Sequence, residues 1–379
     1  MAQGRDNVIS ICKGLAIILM VAGHAEAPEL ITNFIYTFHM PLFFIAAGWF
    51  FSRRYLQQPW TFISKRVRGL YFPFLKWSLL FLVLHNLFFH FGILNEQYGN
   101  WTNGVTHPYT LKAFATRLVM IFTSMSGYDE FMAGAFWFFR GLLVASIVFL
   151  LLYKLLDSRT RLRPALAVGA ICLAAIAFHW LRIHFGIKLT VIPNGGWREC
   201  WGVFFFGIGV LLRQYEPYFK QHWAITLGCF AFLCFAAVQH FSGMNNGCKL
   251  RDLITLPLTG TAGFIMLRHV STLIDSVASP IRRFLVFTGN NTLYVFVFHI
   301  ISFKLISLLK IWWYDLKFGQ IGFHMVIHYN HTDFFWVLYT IAGVAVPLAV
   351  LQLYRATKAR LEARKGRSMA AEALPDDEA

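Results

Sequence analysis

Long apolar runs separated by short polar ones repeat along almost the whole chain. About ten of them have, or approach, the roughly 20 residues an α-helix needs to cross a bilayer, at 8–26, 31–51, 71–91, 134–153, 164–181, 198–213, 222–241, 252–268, 284–303 and 334–354. The pattern predicts an all-α integral membrane protein with about ten transmembrane helices, in one transmembrane domain over 1–354 followed by a tail over 355–379. No polar stretch exceeds roughly 45 residues, too short for a second independent core. The longest, 92–133, is expected to carry a short re-entrant or surface helix near 111–124. Composition agrees with this reading. The chain of 379 residues is 57% hydrophobic and 14% charged, with a mean hydropathy of +0.55, far too little charge to cover a soluble domain of this size. Its 40 Phe and 12 Trp suit lipid-facing surface and interfacial belts.

A net charge of +16 raises the question of a nucleic-acid partner. The basic residues, however, sit in short clusters between apolar runs, which is how membrane topology is written, so no nucleic acid is expected. With the N-terminus inside, 21 Lys and Arg fall in cytoplasmic segments, from Arg5 through Arg53, Arg54, Arg161 and Lys220 to the tail after Arg355. Ten fall in external loops, among them Lys304, Lys310 and Lys317. This two-to-one excess predicts that both termini lie in the cytoplasm of a multi-pass inner-membrane protein. The tail is expected to be a basic helix against the inner leaflet with an acidic end at Asp376-Asp377-Glu378. Near the N-terminus, Arg5 and Lys13 precede the run Gly14–Gly23, and Ala25-Glu26-Ala27 has a cleavage-like form. Because many more spans follow, the run is expected to be a retained first helix. The six cysteines, Cys248 included, show neither CxxC nor metal spacing; they read as small buried hydrophobes, with no metal site expected.

Ionisable residues inside spans are costly and tend to mark function. Lys13 and His24 are eleven residues apart, about three helical turns, and so share a face roughly 16 Å long. That arrangement suits a cation for phosphate at one end and a proton acceptor at the other; a snorkelling lysine with an interfacial histidine gives the same spacing. In Thr37-Phe38-His39-Met40-Pro41, the proline should distort the turn carrying His39 and free a carbonyl, although a kinked helix with a bonded histidine reads identically. Lys65, Arg66 and Arg68 form a cytoplasmic cluster able to grip nucleotide phosphates, and charge alone reads them more readily as topology determinants. Arg140, Glu199 and His299 join His24 and His39 in the predicted external half, while Asn291 opens the ninth helix. The polarity fits a donor arriving from the cytoplasm and an acceptor waiting outside.

At these residues the chain resembles acyltransferase family 3, polytopic membrane enzymes that O-acetylate cell-surface carbohydrates. Lys13 to His24 matches the family's basic residue, ten intervening residues and histidine. Phe38-His39-Met40-Pro41-Leu42-Phe43-Phe44 with Gly48 is similar to its second-helix signature, and Lys65-Arg66-Val67-Arg68 followed by Pro73 to its next basic stretch. Trp137-Phe138 and the segment from Gly289 to His299 match looser positions. Two positions depart: lysine stands at 13 where many members have arginine, and Ser10 where an acidic residue is common. The resemblance implies transfer of an acyl group from cytoplasmic acetyl-CoA to a hydroxyl of a carbohydrate or lipid-linked glycan, without a metal. It implies catalytic roles for His24 and His39, and donor binding by Lys13, Arg66 and Arg68. Arg140, Glu199, Asn291 and His299 are the expected substrate contacts. Direct transfer and a short-lived acyl-histidine are both open, and a homo-oligomer is compatible with the sequence. A transporter or glycan exporter is the rival class, since membrane histidines and broken helices occur there too; against it stands the absence of matching halves.

Overall fold

The computed structural model describes residues 6–99, 107–160, 162–190, 192–218, 221–246, 249–326 and 333–372. Arg5, Arg161, Lys220, Cys248 and the acidic end of the tail lie outside the described residues. The described chain is all-helical. Its α-helices are α1 (Asn7–His24), α2 (Glu29–Tyr36), α3 (His39–Trp49), α4 (Pro59–Arg66), α5 (Phe72–His90), α6 (Glu96–Gly99), α7 (Leu111–Ser124) and α8 (Glu130–Ala133). After these come α9 (Trp137–Arg159), α10 (Pro164–Phe185), α11 (Trp197–Tyr215), α12 (Trp223–Val238), α13 (Asp252–Asp275), α14 (Pro280–Asn290), α15 (Thr292–Trp313) and α16 (Phe335–Glu372).

Among the described residues, eight helical stretches are long and apolar enough to cross a membrane, fewer than the ten expected. Two of the expected spans fall short for different reasons. α12 has only 16 residues. α11 carries Arg198, Glu199 and Arg213, yet its central Trp201, Phe205 and Phe206 are fully buried against α3, α9 and α10. It is an internal helix of the bundle, shielded by its neighbours.

The ninth expected span, 284–303, is also corrected. The helix breaks at Asn291, leaving α14 as a short separate element and starting the spanning α15 at Thr292. α15 then continues to Trp313, so Lys304 and Lys310, expected in an external loop, are buried inside a helix. The expected short helix in the long polar segment is α7, with Leu111, Val119 and Phe122 exposed along it.

α1 occupies the centre of the bundle, touching α2, α3, α13, α14, α15 and α16. Its crossing with α14 depends on small residues: a Cβ on Gly289 would run into the Ser10 carbonyl oxygen. Close backbone approach of this kind is how helices associate where lipid removes the hydrophobic drive between them. Gly48 of α3 plays the same part against the Phe206 backbone of α11. The two crossings fix the helices that carry the candidate site.

Candidate functional site

Asp6 caps α1 by accepting from the Ile9 amide at 3.1 Å, and the helix runs unbroken to His24. Eleven residues at about 100° each return the chain to within roughly 20° of its start, so Lys13 and His24 lie on one stripe. Ile17 and Met20 fall on that stripe between them, and both line a narrow cavity of about 170 Å³. Met40 and Phe43 of α3, Gly69, Phe138 of α9 and Phe296 of α15 add walls from four other elements. Gly69 belongs to a π-helical segment, Val67–Tyr71, that joins α4 to α5. Single-turn π segments inside α-helices are frequent at functional sites, because the extra residue breaks the regular hydrogen-bond ladder.

At the His24 end, hydrogen bonding sets the state of each imidazole. His299 Nδ1 lies 2.9 Å from the Phe296 carbonyl and 3.2 Å from that of Val295, and a carbonyl only accepts, so this nitrogen bears the proton. In the neutral ring, Nε2 therefore holds a lone pair. It faces His24 Nδ1 at 3.1 Å, which must donate. The consequence is that neutral His24 carries its remaining lone pair on Nε2, with a fixed tautomer. Tyr36 braces the same turn, its hydroxyl donating to the Gly23 carbonyl at 2.8 Å and its ring meeting that of His24 edge-on.

His39 opens α3 directly after the break expected from Pro41. The chain leaves helix after Tyr36, passes through Phe38 at φ −141° and re-enters at His39. Pro41 has no amide proton to give to the Thr37 carbonyl four residues back. That carbonyl instead accepts from the Thr259 hydroxyl of α13 at 3.1 Å. His39 Nδ1 donates to the Ile35 carbonyl at 2.9 Å, leaving Nε2 as an acceptor in the neutral ring. Tyr36 and His39 have ring centroids 5.2 Å apart.

The other expected site residues divide. Arg140 and Glu199 are buried and paired with each other at 2.9 Å, tying α9 to α11; Arg140 also donates to the Met125 carbonyl at 3.2 Å. Asn291 caps the start of α15, eight residues or roughly 12 Å before His299 along the helix. It donates to the Phe287 carbonyl at 2.7 Å and accepts from Arg355 of α16 at 2.8 Å. Lys13 is half-buried on α1. Arg66 lies over the rings of Phe62 and Phe206 and reaches the Ala47 carbonyl at 3.4 Å, whereas Arg68, in the π segment, is exposed. Histidines 24, 39 and 299 thus gather at one end, Lys13, Arg66 and Arg68 belong to the other, and Arg140 with Glu199 form a separate pair.

Several polar residues near the site were missed from sequence. Tyr36 was legible in principle, three residues before His39 and therefore on the same side of the chain. His85 was not: it is buried between Asp129 at 2.9 Å and the His107 carbonyl at 2.9 Å, and it stacks on Tyr109, partners that only the fold assembles. Lys304 and His324 fell in what read as loop. No curated protein and no solved structure compared with the chain gives a match. The acyltransferase domain of acyltransferase family 3 matches residues 6–352, nearly the whole chain, and the protein belongs to that family.

Proposed function

We propose that this multi-pass membrane acyltransferase moves an acetyl group from cytoplasmic acetyl-CoA to a hydroxyl of a cell-envelope carbohydrate, with His24 as general base. The observation that carries the reading is the His24–His299 hydrogen bond at 3.1 Å, because it leaves the His24 Nε2 lone pair free for a substrate proton. Family membership supplies the acyl-transfer class.

The acceptor hydroxyl gives its proton to His24 Nε2 as its oxygen attacks the thioester carbonyl. The tetrahedral intermediate collapses by breaking the C–S bond, and the imidazolium returns the proton to the departing thiolate, giving CoA thiol and the O-acetyl ester. A positioned base of this kind is worth roughly 10²–10⁴-fold. His299 is a positioning residue, holding the ring and its tautomer. His39, whose Nδ1 is committed to the Ile35 carbonyl, accepts from an acceptor hydroxyl; in its neutral form it has no proton to offer an oxyanion. Lys13, Arg66 and Arg68 hold the phosphates of CoA, and the pantetheine arm follows the cavity past Ile17 and Met20 toward His24. The sidedness of the charges in the sequence supports a cytoplasmic position for the cationic end. Mass spectrometry of surface glycans from cells with and without the gene tests the reading. An acetyl-sized loss on deletion is expected, and identical glycans would overturn it.

A further inference from the structure

Beyond His299, α15 carries Lys304, five residues or about 7.5 Å further along the helix. Its buried ammonium donates to the Ile321 carbonyl at 2.7 Å and to the Phe323 carbonyl. It also lies 5.4 Å from the Phe131 ring centroid. These bonds fasten the turn at 318–323 back onto α15. The next residue, His324, is thereby held edge-on to Phe131, with ring centroids 5.5 Å apart, and within electrostatic range of His24, His299 and Lys304. Both His324 and Phe131 remain partly open to solvent, as does His24.

His324 differs from its neighbours in what it leaves unused. His299 has both ring nitrogens engaged, and His39 and His24 each have one. Among the described residues His324 makes no hydrogen bond, so both of its ring nitrogens are available. Burial and the adjacent Lys304 ammonium push its imidazole down to about 3, and it stays neutral, with a lone pair to accept a hydroxyl proton.

We propose that His324, with the ring of Phe131 beside it, is the subsite that seats the sugar ring of the acceptor against His24. This rests on the acyl-transfer reading and names the residues that would select the acceptor. One ring hydroxyl donates to His324 while its neighbour loses a proton to His24, and the apolar C–H face of the sugar packs on Phe131. Glu130, next in the chain to Phe131, lines an open groove of about 590 Å³ together with Lys112, Thr116, Arg117 and Ser126. That trough, with these polar side chains set among apolar ones, can carry the sugars on either side of the one being modified. Lys304 is the clamp that sets the height of His324 over the base.

The proposal predicts uncoupling. With His324 truncated, water takes the acceptor's place. Its oxygen attacks the thioester carbonyl, its proton passes through His24 to the thiolate, and the products are acetate and CoA thiol. The experiment uses the full chain in lipid nanodiscs with acetyl-CoA and envelope glycans extracted from host cells lacking the gene. Thiol release and acetyl groups transferred to glycan are followed together. In His324→Ala the acetyl groups transferred per thiol released should fall about tenfold, the worth of one lost hydrogen bond. His324→Gln, which keeps a side-chain acceptor, should recover most of the ratio. A ratio equal to that of the unmodified protein in both variants, or loss of both rates together, would overturn the proposal. Absence of acetyl transfer by the unmodified protein would remove the underlying acyl-transfer reading instead, and with it the subsite.

Discussion

At the His24 end of α1 the polar atoms are held by fixed partners: His299 by backbone carbonyls, His24 by His299, and His39 by Ile35. The Lys13 end differs. Lys65 and Arg68 are exposed, Arg66 rests on aromatic rings, and the helix that carries them passes through a π turn. At the first end the hydrogen bonds leave one free ring nitrogen on His24 and one on His39. The other presents long cationic side chains which, under the proposed function, meet phosphates that tolerate several geometries. Under the proposed function, the contrast puts rigidity at the reacting atoms, where about 1 Å of misplacement is costly, rather than at the anchoring charge.

On that contrast, the largest effect falls on the proposed base. His24→Ala should insert and fold normally, because His24 is the last residue of α1, and should lose roughly 10²–10⁴-fold in acetyl transfer. Rates from membranes matched for protein content, assayed with acetyl-CoA, check this. Transfer at the unmodified rate would dissolve the distinction between the two ends.

The next effect is on stability. Arg140→Leu leaves the Glu199 carboxylate buried without its partner, and removing one member of a buried pair typically costs about 3–5 kcal/mol. Arg140→Leu combined with Glu199→Leu should recover much of the loss, because no charge is then stranded. Thermal unfolding in detergent, followed by tryptophan fluorescence, separates the two cases. Equal destabilisation by single and double variants would show that the stranded Glu199 charge is not the source of the loss.

A smaller effect is expected at His299, and it distinguishes positioning from simple packing. His299→Leu removes the acceptor that holds the His24 tautomer and should lower kcat by on the order of 10²-fold, within the worth of the base itself. His299→Gln can place an amide oxygen near the former Nε2 and should restore most of that rate, with the KM for acetyl-CoA unmoved in both. If glutamine rescues no better than leucine, the His24–His299 bond is not what orients the base.

These residues also mark what the sequence could and could not say. The break before His39 was readable, because Pro41 acts on a carbonyl only four residues back in the chain. The shared stripe of Lys13 and His24 was readable for the same reason, being a matter of local period. The His24–His299 bond joins residues 275 positions apart, and nothing in either neighbourhood requires the other. Ending the ninth span at 303 put Lys304 and Lys310 in a loop, since a lysine usually ends an apolar run. Both stay in the helix because the fold supplies their partners, the Ile321 carbonyl for one and Asp333 for the other. The Gly289-Asn290-Asn291 sequence did carry a helix-stop signal, and the apolar residues on either side of it masked the break. Arg140 and Glu199 were correctly seen as buried ionisable groups, but a sequence does not show that two such groups satisfy each other.

The smallest effect should appear at the cationic end, and it can divide Arg66 from Arg68. Arg66 already has its guanidinium over Phe62 and Phe206 and bonded to Ala47, so some of its donors are occupied within the fold. Arg68 is exposed beside Gly69, which lines the cavity. A charge-assisted bond to phosphate is worth about 1.5–3 kcal/mol, roughly tenfold in affinity at the lower end, the value suited to an exposed, solvent-screened side chain. Arg68→Ala should therefore weaken acetyl-CoA binding by about tenfold and flatten its dependence on salt, while Arg66→Ala should weaken it less and also lower the unfolding temperature. Lysine at position 68 should retain part of the affinity, since a point charge still attracts phosphate without the bidentate fork. Titration calorimetry with acetyl-CoA at two ionic strengths gives both numbers. If neither variant alters affinity, these arginines serve only to set topology, and the donor must be anchored by Lys13 and other groups on the bundle.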